Sequence, residues 1–463
     1  MGRKMKIEDE IIRAIKRQVA MEFNSRKSEE EIKIIITSVT NAYLNHNYDF
    51  KNSESILLKQ NGKKRFIRRF IDEYSPENIL CQCIKQIIDR IYKIKYPNRN
   101  KSIKLLFNTL CLLKNMSEFT IVKFDFKDYF NSVSSEYVFE KYIKDKLTDR
   151  SFLEIIKEFS KKTKYAFAGL RTSNVFSEII AKDFDEVVKC ELYSKGLIYY
   201  ERYIDDTLII FNENIDQDQI ETIINNALNI IFYDDKINSS IKCKTCFNNS
   251  KFRYISKRLL SVSPGNIDYL GYEFKFTLIN NECNIMYGIT KEKQDKNKSR
   301  IDKIIKYYTD INSPNYNNID LLRHRISAFS SRCVYRTKKY NSFLWKTKGF
   351  ISNYGELRFL LGSNLIIPDT ELFLKNMIID GFTRAGLSLP YFIKGTNNKA
   401  GYDLYNNMNA NKTLLFVEHI GYNKASLERL CRNIGIKIVD TNGKKRRYGN
   451  LVRDYLIEVK VGY

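Results

Sequence analysis

The feature that most constrains this chain is a pair of adjacent aspartates between two apolar segments. Residues 197–203 and 207–211 are rich in Leu, Ile, Tyr and Phe, and only Ile204, Asp205 and Asp206 separate them. This pattern predicts two antiparallel strands joined by a tight turn. Neighbouring carboxylates repel each other by about 1 kcal/mol or more. A divalent cation would explain why they stand together, because Mg²⁺ prefers carboxylate oxygens as ligands.

A second acidic position follows another predicted strand. Residues 121–126 read Ile-Val-Lys-Phe-Asp-Phe, so Asp125 stands at the end of an apolar strand, as the aspartate pair does. Two cations about 4 Å apart can activate an attacking hydroxyl and steady a leaving pyrophosphate. We therefore take Asp125, Asp205 and Asp206 together as candidate metal ligands.

The charge of the chain supports a nucleic-acid partner without establishing one. Lysine and arginine number 78 against 54 acidic residues, giving a net charge of +24. Such an excess attracts phosphate backbones. The chain is also rich in Lys, Ile, Asn and Tyr, however, and AT-rich coding produces that bias by itself.

Length and local composition exclude several classes of protein. The 463 residues allow about three domains. No run of 18 apolar residues occurs, so we expect no membrane association. The first ten residues lack the apolar core and cleavage site of a secretory signal, which leads us to expect a cytoplasmic location.

Cysteines and histidines do not point to a metal centre. The nine cysteines are expected to be reduced and mostly buried. Cys243 and Cys246 have the spacing of half a zinc site, but no second Cys-x-x-Cys accompanies them, and the three histidines form no metal-binding pair. Near the end, the basic cluster 444–447 after Asn442-Gly443 reads as a solvated hairpin tip, with a phosphate contact as the alternative.

The remaining pattern predicts an α+β fold with helices on one face of a sheet. Asn61-Gly62 indicates a hairpin within 59–70, and Ser75-Pro76 indicates the start of a helix. Further helices are predicted at 1–50, 75–95, 174–194, 216–231, 296–309, 318–334, 368–380, 424–434 and 449–458, and a further strand at 269–276.

The order of these motifs resembles the palm of reverse transcriptases. Asp125 is followed by Gly169-Leu-Arg-Thr-Ser173, then Tyr203-Ile-Asp-Asp206, then Tyr269-Leu-Gly271. The resemblance covers about 59–275. It implies a right-hand polymerase with fingers and palm and a mainly α-helical C-terminal region. The implied domains are an N-terminal helical extension (1–50), fingers (51–119), palm (120–280), and thumb with helical C-terminal domain (281–463).

The resemblance also implies roles for the palm residues. Asp125 and Asp205 would bridge two Mg²⁺ ions, for which Mn²⁺ can substitute, with Asp206 close by and the carbonyl of Phe126 in the metal shell. Phe130 would lie under the sugar of the incoming nucleotide, where a bulky ring favours deoxynucleotides; the alternative is a core phenylalanine.

Other implied contacts lie outside the carboxylates. Gly169 and Ser173 belong to the loop that faces the template and the nascent pair. Lys63 and Arg65 would hold the triphosphate, unless they belong to a solvated basic strand. Lys244, with Lys242 nearby, would be the proton donor to pyrophosphate. Arg99 and Tyr203 would lie near the template and primer. The primer grip would consist of Tyr269, Leu270 and Gly271.

Two departures from the common pattern point to one group within the family. Arg171 stands where many reverse transcriptases have proline in Gly-Leu-Pro-Gln-Gly-Ser, and Ser173 replaces the second glycine. Such loops resemble those of bacterial abortive-infection and other phage-defence reverse transcriptases. The resemblance implies a DNA polymerase that uses deoxynucleoside triphosphates in antiphage defence. Its template would be an RNA or absent, and priming on the protein itself stays open.

The implied partners are a template or noncoding RNA, the DNA product and deoxynucleotides, with self-association left open. Two alternatives stay open. An RNA-dependent RNA polymerase usually has glycine where this chain has Ile204. A non-catalytic RNA-binding scaffold with a relic palm is disfavoured, because all three aspartates remain.

Overall fold

The structure is a computed structural model, and it describes residues 6–21, 27–60, 63–313, 316–330, 332–336, 344–395, 401–410, 423–440 and 443–459. The chain divides into two compact units. One comprises Met1–Ser263 with Asn280–Cys283, and the other Pro264–Ile279 with Asn284–Tyr463. The finer division at residues 50, 119 and 280 stays a prediction.

The first unit mixes helices with two small antiparallel sheets. Its helices are α1 (Ile7–Met21), α2 (Glu29–Leu44), α3 (Pro76–Tyr92), α4 (Arg99–Leu112), α5 (Tyr129–Ser132), α6 (Ser135–Val138), α7 (Arg150–Lys162), α8 (Ser173–Tyr193), α9 (Gln217–Phe232) and α10 (Lys257–Leu260). Its strands are β1 (Glu54–Gln60), β2 (Lys63–Arg69), β3 (Thr120–Asp125), β4 (Leu197–Tyr203), β5 (Asp206–Phe211) and β6 (Arg253–Ser256).

Local signals in the sequence account for several of these boundaries. Ser75 caps α3 by accepting a hydrogen bond from the Asn78 backbone N–H, and Pro76 occupies the first helical position. The helix stops where Lys93 adopts a left-handed conformation. Both the 75–95 helix and the hairpin within 59–70 are confirmed, while helices α4 and α7 were not predicted.

A four-stranded antiparallel sheet in the order β4-β5-β3-β6 forms the centre of the first unit. Side chains alternate across it. Phe124 and Phe126 point to the face that α8 and α9 cover, where the Phe126 ring centroid lies 5.3 Å from that of Phe184. Asp125 and its partner Asp206 therefore point to the opposite face.

The second unit combines helices with two further sheets. Its strands are β7 (Gly265–Tyr269), β8 (Tyr272–Ile279), β9 (Glu282–Ile289), β10 (Arg332–Arg336) and β11 (Leu344–Lys348). Its helices are α11 (Lys291–Thr309), α12 (Ile319–Ser330), α13 (Phe350–Asn353), α14 (Pro368–Arg384), α15 (Tyr391–Lys394), α16 (Leu404–Ala410), α17 (Lys424–Asn433) and α18 (Tyr448–Val459). In the described part of the chain, no helix is both long and apolar enough to cross a membrane.

Two predictions about this unit are wrong in detail. The single strand predicted over 269–276 is a hairpin, because Leu270 and Gly271 both have positive φ (50° and 86°) and turn the chain between β7 and β8. The helix predicted over 318–334 ends at Ser330, and the residues from Arg332 form β10. Helices α11, α14, α17 and α18 confirm the other predictions.

The basic cluster 444–447 takes part in local structure. Arg446 pairs with Asp454 and donates to the Lys437 carbonyl at 2.9 Å. The preceding Asn442 lies outside the described residues.

Candidate active site

The β3–β5 ladder brings the predicted carboxylates together. Asp125 is directly opposite Asp206, and residues opposite each other in an antiparallel pair have Cα atoms about 4.5 or 5.5 Å apart. Tyr203 pairs with Asp206 across the hairpin, so Ile204 and Asp205 form a two-residue turn. The Phe126 backbone N–H donates to the Asp205 carbonyl at 3.3 Å, which ties the turn to the end of β3.

The turn that carries the aspartates is strained. Ile204 has a φ of 65°, a region that β-branched residues rarely adopt. Such a conformation costs about 1–3 kcal/mol and persists only where the surroundings impose it. The Arg202 guanidinium donates to the Ile204 carbonyl at 2.7 Å and so holds the turn from behind.

A lysine supplies positive charge among the carboxylates. Lys251 donates a hydrogen bond to Oδ2 of Asp125. Burial alone lowers the pKa of Lys251, but this bond and the negative charges of Asp125, Asp205 and Asp206 outweigh burial and raise it. Lys123 adds a second ammonium, 3.5 Å from Oδ1 of Asp206. All three carboxylates therefore lie within electrostatic reach of one cation.

The Asp125 and Asp206 carboxylates offer the oxygen ligands that a divalent cation prefers. In the part of the chain that is described, no group of three or more His, Cys, Asp or Glu side chains is arranged as a metal site as it stands. Oδ1 of Asp125 is nevertheless buried without a hydrogen-bond partner. An unsatisfied buried carboxylate oxygen is costly. A cation between the Asp125 and Asp206 carboxylates would satisfy it.

The lysine beside the carboxylates is Lys251, which the sequence analysis missed. Lys244, the predicted proton donor, is exposed; its backbone N–H donates to the Ser132 carbonyl, and its ammonium lies 5.5 Å from the centre of the Tyr165 ring. Lys251 precedes β6, which pairs with β3. No local pattern in the sequence identifies Lys251, because its position depends on the pairing of β6 with β3.

The two predicted phenylalanines differ in environment. The Phe126 ring is fully buried and stacks on Tyr129, with ring centroids 5.0 Å apart. Phe130, on α5, is half-buried, and its carbonyl accepts a hydrogen bond from the Phe167 backbone N–H at 2.9 Å. Phe130 is therefore less completely covered by the protein than Phe126 is.

The loop before α8 packs against the hairpin of β1 and β2. Gly169 has a φ of 104°, and a Cβ atom there would lie 2.4 Å from the Arg68 carbonyl oxygen. The Arg68 backbone N–H also donates to the Ala168 carbonyl at 2.8 Å. The lack of a side chain at Gly169 therefore lets the backbone of β2 pass close to this loop.

Two other residues of this loop serve its internal structure. Ser173 is buried, and its hydroxyl donates to the Leu170 carbonyl at 2.8 Å. Arg171 donates to Gln18 of α1 at 2.9 Å and to Glu73 at 2.6 Å. Arg171 thus ties the N-terminal helix to the loop.

The predicted triphosphate contacts lie in strand β2. Lys63 and Arg65 pair with Gln60 and Leu58 of β1. Their side chains, and the turn residues Asn61 and Gly62, lie outside what the structure describes.

The predicted template and primer residues occupy two regions. Arg99 is the first residue of α4, which Asn98 caps, and Tyr203 ends β4. In the second unit, Tyr269 ends β7 and is fully buried, and Leu270 and Gly271 form the turn that leads to β8.

The two cysteines of the possible zinc half-site have different environments. Cys243 is buried and accepts a hydrogen bond from the Ser134 backbone N–H at 3.3 Å, and burial raises its pKa to about 12. Cys246 is exposed. This arrangement favours a structural role for Cys243.

No protein-family model and no curated protein matches the sequence. Among solved structures, the chain is similar to apo telomerase from Candida tropicalis truncated from its C-terminal domain, with 11% identity and a TM-score of 0.34, over 53% of this chain and 59% of that chain. Telomerases from Candida tropicalis and Candida albicans, each in complex with a TWJ fragment of telomeric RNA, match at 11% identity over 87% of this chain and 68% of theirs, with TM-scores of 0.33 and 0.35. Likenesses at this level assign no activity to the chain.

Proposed function

We propose that the chain is a metal-dependent nucleotidyltransferase of the reverse-transcriptase type. The observation that carries the proposal is the grouping of Asp125, Asp205 and Asp206 around one lysine, at the edge of a helix-backed antiparallel sheet. Carboxylates on neighbouring strands suit a two-cation site for phosphoryl transfer.

In this reaction a bond forms between a primer hydroxyl oxygen and the α-phosphorus, and the bond to pyrophosphate breaks. Two Mg²⁺ ions, or Mn²⁺ in their place, would supply the charge that activates the hydroxyl and steadies the pyrophosphate. Asp125 and Asp205 would hold them, with Asp206 alongside. Lys251 would leave Asp125 as the metal binds, and its ammonium would then be available to protonate the leaving pyrophosphate.

Deoxynucleotides are the proposed substrates. Phe130 is half-buried and follows the carboxylate strand by five residues, and a bulky group at this position would crowd a ribose 2′-hydroxyl. Lys63 and Arg65 are proposed to hold the triphosphate, since both belong to a basic strand next to the Gly169 loop.

The proposed setting is bacterial antiphage defence of the abortive-infection kind. It rests on the resemblance of the palm motifs and on the departures at Arg171 and Ser173. The net charge of +24 supports an RNA template or noncoding RNA as partner. DNA synthesis without a template remains part of the proposal.

Purified protein supplied with deoxynucleotides and Mg²⁺ tests the activity. Wild type should make DNA, and the double variant Asp205→Ala, Asp206→Ala should make none. Asp235→Asn is the matched control, because Asp235 is fully exposed and has a 3.9 Å contact with Lys242. Synthesis by the double variant would reject the site. Phage protection by the double variant equal to that of wild type would favour the scaffold instead.

Competition between ribo- and deoxynucleotides tests substrate choice. Wild type should prefer deoxynucleotides, and Phe130→Ala should raise ribonucleotide incorporation relative to wild type. Phe392→Ala, which removes a half-buried phenylalanine of α15, is the control and should leave the preference unchanged. A wild-type preference for ribonucleotides would favour an RNA polymerase.

A further inference from the structure

A buried ion cluster lies on the helix-covered face of the sheet, behind the aspartate turn. Its centre is Arg202 of β4, which donates to both carboxylate oxygens of Glu178, at 3.1 and 2.9 Å. Its Nε donates to Asp185 at 2.9 Å. The Arg202 and Glu178 side chains are only 4% and 9% exposed. Both carboxylates belong to α8, so the guanidinium is anchored to the helix that backs the sheet.

The same guanidinium also contacts the turn. Its NH1 group donates to the Ile204 carbonyl at 2.7 Å. Ile204 has the positive φ of the turn, and the next two residues are Asp205 and Asp206. The planar guanidinium has its donors in a fixed fork, so anchoring it on α8 fixes where it meets the carbonyl.

We infer that Arg202 is a positioning residue that holds the Ile204 turn, and with it Asp205 and Asp206, in the geometry that binds the catalytic cations. The inference rests on the proposed function, since it assumes that the aspartates bind metal. Glu178 and Asp185 act through Arg202 by fixing its guanidinium. Arg202 itself touches neither cation nor substrate, because it lies on the opposite face of the sheet from Asp125 and Asp206.

The charge balance of the cluster supports this role. Burial lowers the pKa of Arg202, but Asp185 and Glu178 outweigh burial and raise it. The two carboxylates therefore favour the charged form of the guanidinium behind the turn. A cavity of about 590 Å³ borders Glu178, Asp185 and Arg202 on this side. Packing on this side of the ion cluster is therefore incomplete, and the hydrogen bonds to Glu178 and Asp185 anchor the guanidinium there.

Mn²⁺ binding to the purified full-length chain, followed by electron paramagnetic resonance, tests the inference. The Asp205→Ala, Asp206→Ala double variant sets the background. Arg202→Lys keeps the positive charge but lacks the forked donors of the guanidinium. It should weaken aspartate-dependent Mn²⁺ binding by about 10- to 100-fold, the loss typical when a residue that orients metal ligands is changed. Adding Ile204→Gly to Arg202→Lys should recover part of that affinity. Glycine adopts a positive φ without strain, so the turn no longer needs the hydrogen bond from Arg202.

Tyr200→Phe is the matched control. It removes the 2.7 Å bond from the Tyr200 hydroxyl to Asp185, in the same cluster, but leaves the contact with Ile204 intact. Its Mn²⁺ affinity should equal that of wild type. A folded Arg202→Lys protein with wild-type affinity, or an equal loss in Tyr200→Phe, would overturn the inference.

A second variant covers the case in which Arg202→Lys fails to fold. Glu178→Gln is isosteric and weakens one anchor while retaining the guanidinium, so it should lower Mn²⁺ affinity without changing the circular dichroism spectrum. Unchanged affinity in Glu178→Gln would also overturn the inference. Aspartate-dependent Mn²⁺ binding by a wild type that makes no DNA would reject the proposed function while leaving Arg202 testable.

Discussion

The ammonium of Lys251 binds the carboxylate of Asp125, although 126 residues separate them in the chain. The contact arises because β6 pairs with β3, so the residues just before β6 lie beside the end of β3. A cation bound to this carboxylate would be repelled by the ammonium beside it. Lys251 and a divalent metal therefore compete for Asp125.

Lys251→Met should strengthen metal binding and lower the thermal stability of the metal-free protein. An ion pair of a half-exposed lysine is worth about 0–1 kcal/mol, so Mn²⁺ affinity should rise by up to about fivefold. Without metal, Asp125 loses its partner, and the melting temperature in EDTA should fall. Calorimetric Mn²⁺ titration and thermal unfolding measure both effects. Lys242→Met is the control, since Lys242 is exposed, and weaker Mn²⁺ binding by Lys251→Met would contradict the competition.

Gly169→Ala should destabilise the first unit. Alanine at a φ of 104° is strained, and its Cβ would lie 2.4 Å from a backbone oxygen, which cannot move as a side-chain end can. We expect a loss of about 2 kcal/mol or more in the free energy of unfolding, measured by urea denaturation.

Gly386→Ala distinguishes the cost of backbone strain from the cost of a steric clash. Gly386 also has a positive φ, 67°, but nothing lies within 4 Å of a Cβ there. The free energy of unfolding of Gly386→Ala should fall by only about 1–2 kcal/mol. Equal losses in the two variants would show that the approach of Arg68 to Gly169 is unimportant.

Features with a local cause were predictable from the sequence. The two apolar runs located β4 and β5, and the three residues between the runs left only a tight turn for Asp205. Ser75 and Pro76 located the start of α3, because a helix cap depends only on residues that are neighbours in the sequence. The meeting of Asp125 with Asp206 followed from a known order of motifs rather than from any local pattern.

Features with distant partners were not predictable in this way. The contact of Lys251 depends on strand pairing, and that of Arg202 depends on the packing of α8 against β4. The turn at Leu270 was missed because an apolar run with one glycine is compatible with a continuous strand, and only the conformation of both residues makes it a hairpin.

Arg171→Ala should loosen the N-terminal helix. Arg171 reaches Gln18, 153 residues away, and Glu73, 98 residues away. Its removal leaves α1 held by packing, by the 3.2 Å hydrogen bond from Gln18 to Glu73 and by the Glu10–Arg90 pair. The expected result is faster hydrogen exchange in residues 7–21, equivalent to about 1 kcal/mol. Arg150→Ala is the control, because Arg150 is 91% exposed in its pair with Glu154. Unchanged exchange in α1 would contradict the role of Arg171.

The stability of the second unit should fall in mild acid because of His324. This residue is buried between α12 and α18, where Nδ1 lies 2.8 Å from the Tyr455 hydroxyl. Burial, aided by Arg323 and opposed by Asp320, lowers the pKa of His324 below 6.5. As the pH falls through the unfolded value, the unfolded chain binds a proton that the folded chain does not, so the unfolded state gains stability.

Melting temperatures at about pH 7.5 and about pH 5.5 check this sign. The melting temperature of wild type should fall further over this range than that of His324→Gln, since glutamine can keep a hydrogen bond to Tyr455 and does not titrate. His46→Gln, which changes an exposed histidine, should behave as wild type. A loss in His324→Gln as large as that of wild type would mean that other groups, and not the burial of this imidazole, set the acid sensitivity of the unit.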